Sequence, residues 1–89
     1  DPGFGFGKNI NHNYQILKEL KEFKKFNNPI LVGISRKSMI YNKIKSSSSN
    51  SLNGTTVLNT FSIINGASIL RVHDVKEAVE SINLLNDLI

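Results

Sequence analysis

The stretch that decides the fold is residues 29–37, Pro-Ile-Leu-Val-Gly-Ile-Ser-Arg-Lys, in which an apolar run ends abruptly in polar and basic residues. A short, unbroken apolar run is typical of a parallel β-strand that is buried on both faces. A second candidate strand, Ala67-Ser68-Ile69-Leu70, follows after roughly thirty residues, which is the length of a βαβ unit. Right-handed crossovers make the strands of such a unit parallel, so both should end at the same edge of one sheet.

Apolar residues at three- and four-residue steps predict three helices around these strands. The first spans about residues 13–26 and ends at Asn27-Asn28-Pro29. The second precedes Asn65-Gly66, a pair typical of a left-handed C-cap, and the third follows Asp74, which with Glu77 resembles a capping box. The apolar positions of the three helices are, in turn, Ile16, Leu17, Leu20 and Phe23; Val57, Leu58, Phe61 and Ile64; and Val75, Ala78, Val79, Ile82, Leu85 and Ile89.

Two segments are predicted to be loops. Residues 1–8, Asp-Pro-Gly-Phe-Gly-Phe-Gly-Lys, hold three glycines at alternate positions, which neither a helix nor a central strand favours. This segment is not a phosphate-binding P-loop, because Asn9 follows Lys8 where that motif requires Ser or Thr. Residues 45–51, Lys-Ser-Ser-Ser-Ser-Asn-Ser, are too polar to pack in a core and are predicted to be exposed and mobile.

Composition excludes several classes of protein. The 89 residues allow one domain at most, and the absence of Cys excludes a disulfide scaffold and a thiolate zinc site. No apolar run approaches the roughly 18 residues of a membrane span. Lys and Arg outnumber Asp and Glu by seven between residues 8 and 45. A solvated helix face carrying Lys18, Lys21, Lys24 and Lys25 explains this excess, and nucleic-acid binding is the alternative.

Charged residues follow both predicted strands at the point where each strand ends. Residues 35–37, Ser-Arg-Lys, come after the first strand, and residues 71–73, Arg-Val-His, come after the second. The carboxyl ends of parallel strands form the site face of α/β proteins. The side chains of Lys37, Arg71 and His73, together with Asp1 of the glycine loop, are therefore expected to share one pocket. Its charge suits an anionic, aromatic ligand such as a phosphorylated heterocycle.

Each of these residues also has a plainer interpretation. Arg36 or Lys37 could be a surface charge at the start of a helix. His73 could be a structural residue, and His12 an exposed loop residue. Asp74 could act only as a helix cap.

Three blocks of the sequence resemble the C-terminal signatures of the dihydropteroate synthase family, in the family's order and spacing. They are residues 1–8, residues 31–38 (Leu-Val-Gly-Ile-Ser-Arg-Lys-Ser) and residues 66–75 (Gly-Ala-Ser-Ile-Leu-Arg-Val-His-Asp-Val). The resemblance is to the bacterial type. It implies an α/β fold, the C-terminal part of a (β/α)8 TIM barrel: the loop after strand six, strands seven and eight, and their helices. Residues 1–89 would then be the C-terminal portion of the pterin-binding barrel domain, incomplete at its N-terminus.

The resemblance implies a transferase of folate biosynthesis that is the target of sulfonamides. Such enzymes condense 6-hydroxymethyl-7,8-dihydropterin diphosphate with 4-aminobenzoate and release diphosphate, so the partners are small molecules. Mg²⁺ accompanies the diphosphate, and its ligands are not expected in these residues. Relatives are cytoplasmic homodimers that associate through their C-terminal helices, here residues 52–65 or 75–89.

The resemblance assigns catalytic roles to Lys37, Arg71 and His73. Lys37 contacts both the pterin and the aminobenzoate, while Arg71 and His73 hold the diphosphate. The substrate-binding residues are these three, Asp1 against the pterin ring, and Ser35 and Phe6 on the aminobenzoate side.

Two further expectations complete this interpretation. The 89 residues alone are expected to be catalytically inactive and poorly stable, because a (β/α)8 barrel needs about 200 residues or more to close. The alternative function is a non-catalytic α/β module that binds phosphate or RNA through the basic segment 8–45.

Overall fold

A computed structural model describes residues 1–5 and 7–89 of the chain. The elements run in the order α1 (Ile10–Lys18), a 3₁₀ helix (Leu20–Phe26), β1 (Leu31–Val32), α2 (Ser38–Tyr41), a second 3₁₀ helix (Ser48–Asn50), α3 (Leu52–Ile64), β2 (Ile69–Leu70) and α4 (Val75–Leu85). The chain has the predicted α/β class and the predicted order of elements.

The two strands pair in parallel, as the βαβ spacing predicts. Leu31 lies opposite Ile69, and Val32 lies opposite Leu70. The backbone N–H of Arg71 donates to the carbonyl of Val32 at 3.0 Å, so the pairing extends to the end of both strands. Both strands therefore end at one edge of the sheet, where the charged residues begin.

Strand β1 is shorter than the apolar run that predicted it, and it is fully buried on one face only. Ile30, Val32 and Ile34 are buried among the residues of the core. Leu31 and Gly33 point to the other face and are half-buried. The core packs against the first of these faces, and its other members are Phe4, Leu17, Leu20, Met39 and Ile40.

The first predicted helix is divided in two. Helix α1 begins after Asn9, whose side chain accepts the backbone N–H of His12 at 2.8 Å. It ends at Glu19, and a 3₁₀ helix continues to Asn27, which has the left-handed φ of 58°. The apolar stripe runs through the break, since Leu17 and Leu20 are both buried. Periodicity thus marked the buried face correctly without revealing the change of helix type.

Helix α3 begins earlier than the predicted stripe and ends where the sequence indicates. At its C-terminus the N–H of Gly66 donates to Ile63, and the N–H of Ala67 donates to Ser62, at 3.1 and 2.9 Å. These two bonds form a Schellman motif, which requires the positive φ of Gly66, here 109°. The predicted glycine C-cap is confirmed.

The apolar stripe of α3 lies mostly away from the core, although one of its members, Leu58, packs against the core. Val57, Phe61 and Ile64 are 56%, 39% and 54% exposed. The buried positions are polar, namely Thr55, Asn59 and Ser62. Each buried residue precedes an exposed one by two positions, about 200° around a helix, so the two sets lie on opposite faces.

Helices α2 and α3 approach each other closely at Gly54. A Cβ atom placed on Gly54 would lie 2.6 Å from the Cγ2 atom of Ile40. Only a residue without a side chain fits at this contact. The next residue, Thr55, faces the buried side of α3.

The serine-rich segment 45–51 is more ordered than its composition suggests. Residues 45–50 are exposed, as predicted, but Ser51 is buried and begins the approach to α3. Its hydroxyl donates to the carbonyl of Ser48 at 2.7 Å. Composition correctly predicted that the segment is exposed, but it could not predict the hydrogen bond between Ser51 and Ser48.

The helices of the described residues are short, and the longest of them, α3, has 13 residues. None of those found in residues 1–5 and 7–89 is long and apolar enough to cross a bilayer.

Candidate functional site

A cavity of about 430 Å³ lies at the carboxyl ends of β1 and β2. It is lined by Asp1, Gly33, Ser35, Lys37, Arg71, Val72 and His73. Every predicted site residue that the structure describes therefore borders one cavity. Phe6, which was predicted on the aminobenzoate side, lies outside the described residues. The convergence predicted from the parallel strands is present, while the role of each residue is a separate question.

Lys37 enters the cavity from the start of α2. Its Nζ donates to the carbonyl of Phe4 at 2.7 Å, which ties the loop after β1 to the glycine loop. Burial, and the nearby guanidinium of Arg71, lower the pKa of Lys37 below its ordinary value. An anion bound in the cavity would offset both effects, because an opposite charge favours the ammonium form.

Gly5 makes room for the Lys37 side chain. Its φ is +89°, and a Cβ atom there would lie 3.4 Å from the Cδ of Lys37. A larger residue would therefore meet backbone strain and crowd the lysine at once. This contact gives a physical reason for one of the glycines in residues 1–8.

The glycine loop is also held from α1. The side-chain oxygen of Asn13 accepts the N–H of Gly5 at 2.9 Å. Lys8 donates to the carbonyl of Gly3 at 3.0 Å, and the carboxylate of Asp1 accepts the N–H of the same glycine at 2.8 Å. Asn13 was not among the site residues predicted from the sequence. Its signal was an amide on the apolar face of α1, one turn before Leu17.

Ser35 and His73 join the loops that follow the two strands. The Ser35 hydroxyl lies 2.8 Å from Nδ1 of His73 and accepts the backbone N–H of His73 at 3.2 Å. With neutral His73, donation from the hydroxyl to Nδ1 leaves the ring proton on Nε2. With protonated His73, the ring donates to the hydroxyl instead. In both cases the buried Ser35 fixes the orientation of the imidazole.

Arg36 and Asp74 form a second connection between the same two loops. Nε and Nη2 of Arg36 donate to the two carboxylate oxygens of Asp74 at 2.9 and 3.0 Å. The guanidinium holds the pKa of Asp74 below its usual range. The side chain of Asp74 makes no hydrogen bond that caps α4. The predicted capping box is therefore wrong, since a two-bond, charge-assisted contact with arginine is stronger than a cap.

Arg71 stands at the end of β2 and is exposed, with its side chain on the cavity. A Cβ atom on Gly33 would lie 3.7 Å from the Cβ of Arg71, an ordinary contact, so Gly33 leaves additional space beside the arginine. The cavity thus combines an ammonium, a guanidinium and an imidazole with the carboxylate of Asp1. This set can bind an anion and, through Asp1, accept hydrogen bonds from a heterocycle.

The residues of the cavity do not fit a metal site formed by the protein. Mg²⁺ prefers carboxylate and phosphate oxygens. Across residues 1–5 and 7–89, no group of three or more His, Cys, Asp or Glu could hold a metal ion. Asp74, beside the cavity, is already paired with Arg36.

The chain matches one family of known proteins. Residues 1–73 match the family model described as pterin binding enzyme. The chain is 51% identical to dihydropteroate synthase of Escherichia coli strain K12 over 85 residues, which cover 96% of this chain and 30% of that protein. It is 45% identical to the Haemophilus influenzae enzyme over 75 residues, covering 84% of this chain and 27% of that protein.

Solved structures show the same similarity. Dihydropteroate synthase of Yersinia pestis with a pterine-sulfa conjugate superposes with a TM-score of 0.96 at 44% identity, covering 99% of this chain and 35% of that one. The Vibrio fischeri ES114 enzyme gives a TM-score of 0.96 at 40% identity, covering 99% and 33%. These structures are TIM barrels, so the predicted fold, part of a (β/α)8 barrel, is confirmed. The chain spans about a third of the length of its relatives.

Proposed function

The chain belongs to the pterin binding enzyme family, and on that premise we propose that the whole protein is a dihydropteroate synthase. The reaction joins 6-hydroxymethyl-7,8-dihydropterin diphosphate to 4-aminobenzoate and gives 7,8-dihydropteroate and diphosphate. The observation that carries the proposal is the convergence of Asp1, Lys37, Arg71 and His73 on one cavity. In this proposal, residues 1–89 are the C-terminal portion of the pterin-binding barrel domain.

The cations of the cavity suit the departure of diphosphate. In the reaction the bond between the pterin methylene carbon and the diphosphate oxygen breaks, and the amine nitrogen of aminobenzoate bonds to that carbon. Negative charge grows on the leaving diphosphate, and the amine loses a proton. Arg71 and His73 stabilise the growing charge, an electrostatic effect that preorganised groups provide without rearrangement. No covalent intermediate with the protein is required.

The remaining residues position the two substrates. Asp1 accepts hydrogen bonds from the pterin ring, and Lys37 lies between the pterin and aminobenzoate sides. Ser35 and Phe6 are assigned to the aminobenzoate side. The Ser35 hydroxyl is bonded to His73, so it would have to exchange that partner to reach the carboxylate of aminobenzoate. Orientation of this kind lowers the entropic part of the barrel enzyme's activation barrier.

Magnesium enters this proposal only with the diphosphate. The described residues offer no cluster that would hold the ion. We therefore assign none of its protein ligands to residues 1–89 and derive no step through it.

We propose that the whole protein is a homodimer and works in the cytoplasm. The support for a dimer is the apolar outer face of α3, formed by Val57, Phe61 and Ile64, whose side chains are 39–56% exposed. The absence of Cys suits a reducing compartment. The alternative function, a module that binds phosphate or RNA, receives no support from the relatives.

The test is an assay of the whole protein with Arg71 replaced by Ala. Formation of dihydropteroate from the two substrates should fall by about 10²- to 10³-fold in kcat, the usual effect of removing one group that stabilises transition-state charge. Lys76→Ala is the matched control, because it removes a cation from the exposed surface of α4. A wild-type protein that folds but makes no dihydropteroate would refute the proposed function.

A further inference from the structure

We propose that Arg36 is a positioning residue, which sets the spacing between Lys37 and the Arg71/His73 pair by joining the loops after β1 and β2 through Asp74. The inference rests on the proposed function and adds a residue to its site. Arg36 does not line the cavity, and we assign it no contact with substrate. Its influence on the reaction is therefore indirect, through the geometry of the residues next to it.

Almost all the hydrogen-bond donors of the Arg36 guanidinium are used by contacts within the protein. Nε and Nη2 donate to Asp74, and Nη1 donates to the carbonyls of Ser48 and Ser49 at 2.8 Å each. Four of the five N–H groups of an arginine are thus engaged. A side chain held on two sides in this way is suited to fixing three segments of chain, and poorly suited to binding a ligand.

The backbone conformation at Arg36 makes the side chains of Arg36 and Lys37 point in different directions. The N–H of Lys37 donates to the carbonyl of Ile34 at 3.1 Å, which closes a tight turn, and Arg36 occupies its third position with φ of +55°. This left-handed conformation is uncommon for a residue with a side chain. The N–H of Arg36 donates to the buried hydroxyl of Thr55 at 3.0 Å. The turn directs Lys37 to the cavity and Arg36 to Asp74.

The two loops are joined by two contacts between adjacent residues. Ser35 contacts His73, and Arg36 contacts Asp74. The first contact borders the cavity and holds the imidazole, while the second lies beside it. Because the paired residues are consecutive on both loops, loss of the Arg36–Asp74 contact should loosen the Ser35–His73 contact. That change would displace the imidazole and the ammonium relative to each other.

The test compares Arg36→Lys, Asp74→Asn and the double variant in the whole protein. Each single variant should lower kcat by about 10- to 100-fold, since a displacement of about 1 Å in a catalytic group has effects of that size. The double variant should be no worse than the poorer single variant, because both changes remove the same contact. Losses that multiply, or variants with wild-type kcat and KM, would overturn the inference.

Two control variants distinguish the loss of the Arg36–Asp74 contact from a change in local charge and from the loss of a nearby side chain. Glu77→Gln removes a carboxylate whose charge also acts on Arg36 but which makes no hydrogen bond with it. Ser49→Ala keeps the carbonyl that Arg36 uses. Both should retain wild-type kcat and KM. A loss in Glu77→Gln equal to that in Asp74→Asn would show that charge alone matters, and would refute a positioning role.

Amide hydrogen exchange on the ligand-free protein separates this inference from the proposed function. In Asp74→Asn, the N–H groups of Arg36 and His73 should exchange about ten times faster, because both belong to the joined loops. Unchanged exchange would refute the inference even if the enzyme is active. Faster exchange in a protein that makes no dihydropteroate would support the joined loops and refute only the proposed function.

Discussion

The carboxyl ends of β1 and β2 differ from the outer faces of α3 and α4 in how many of their side chains find partners within the chain. At the strand ends, Ser35 is paired with His73, Arg36 with Asp74, and Lys37 with a backbone carbonyl. On the two helices, seven large apolar side chains of the described residues stay between 38% and 71% exposed. These are Val57, Phe61, Ile64, Val75, Val79, Ile82 and Leu84.

This difference indicates that the strand ends provide the chemistry of the site, while stability depends on how the helix faces are buried. The polar contacts that shape the cavity link residues of this chain to each other, so the arrangement of the site is local. Burial of apolar surface contributes about 25 cal/mol per Å², and the outer faces of α3 and α4 gain little of it here. We therefore expect changes at the strand ends to affect activity, and changes on the helices to affect stability and assembly.

The largest effect is expected from isolating residues 1–89. The two-stranded sheet has both edges open, and much apolar surface is uncovered, so the isolated chain should lack activity and unfold without a cooperative transition. Circular dichroism during heating, together with the assay, measures both properties. A sharp transition above physiological temperature would show that the helix faces need no cover.

Lys37→Ala in the whole protein tests the other side of the comparison. We expect kcat/KM to fall by about 10²- to 10³-fold, because the variant removes a positioned charge from the cavity. The melting temperature should change little, since the lost side chain is polar and half-buried. Lys43→Ala is a control from the exposed turn after α2, where the ammonium lies over the ring of Tyr14 and away from the cavity. Retained turnover in Lys37→Ala would contradict the assignment of Lys37 to the site.

Phe61→Glu probes the apolar face of α3 directly. A charge at the centre of a dimer interface should weaken association by about 100-fold, which sedimentation equilibrium measures. Turnover of the remaining folded protein should change less than about threefold. Phe26→Glu is the matched control, since Phe26 is an exposed phenylalanine on the 3₁₀ helix. If the two variants have the same oligomeric state as the wild type, α3 is not the dimer face.

The smallest expected effect is the contribution of Lys37 to the pH dependence of stability and of kcat/KM. Burial and Arg71 lower the pKa of Lys37 in the folded state, so the ammonium is lost below the ordinary value of about 10.4. Between these two pKa values the unfolded chain binds more protons, and this group's contribution to the free energy of unfolding rises with pH. The alkaline limb of kcat/KM should lie in the same window.

Lys37→Arg provides the control for the pH profile. A guanidinium does not deprotonate in this range, so the alkaline limb should move to higher pH or disappear in any activity that remains. An unchanged limb would show that another group, and not Lys37, sets the alkaline limit.

The parallel pairing of the strands and the location of the site could be predicted because they depend on general rules of chain geometry, whereas the barrel was implied by the resemblance to a family. One apolar run ends just before Ser35 and a second ends just before Arg71, which is enough to predict two parallel strands that end at the same edge of a sheet. The cavity lies at that edge. The roles of these residues came instead from the resemblance to a family. They stay predictions until the whole protein is assayed.

The features that the sequence did not predict depend on contacts between distant residues. Asp74 has the sequence pattern of a helix cap, and only the fold brings Arg36 close enough to compete for it. The stripe of α3 predicted a helix correctly, but periodicity alone does not say which face meets the core. The buried hydroxyl of Thr55 accepts the backbone N–H of Arg36, a residue that lies 19 positions earlier in the chain.

The close contact at Gly54 has a consequence for how this protein can change over time. Any side chain there would press on Ile40 and force α3 away from α2. Thr55 would move with α3, and its hydroxyl would withdraw from the turn that orients Lys37. A single methyl group added at Gly54 would thus impair the proposed activity without contacting the cavity, which makes Gly54 a point of evolutionary constraint outside the site.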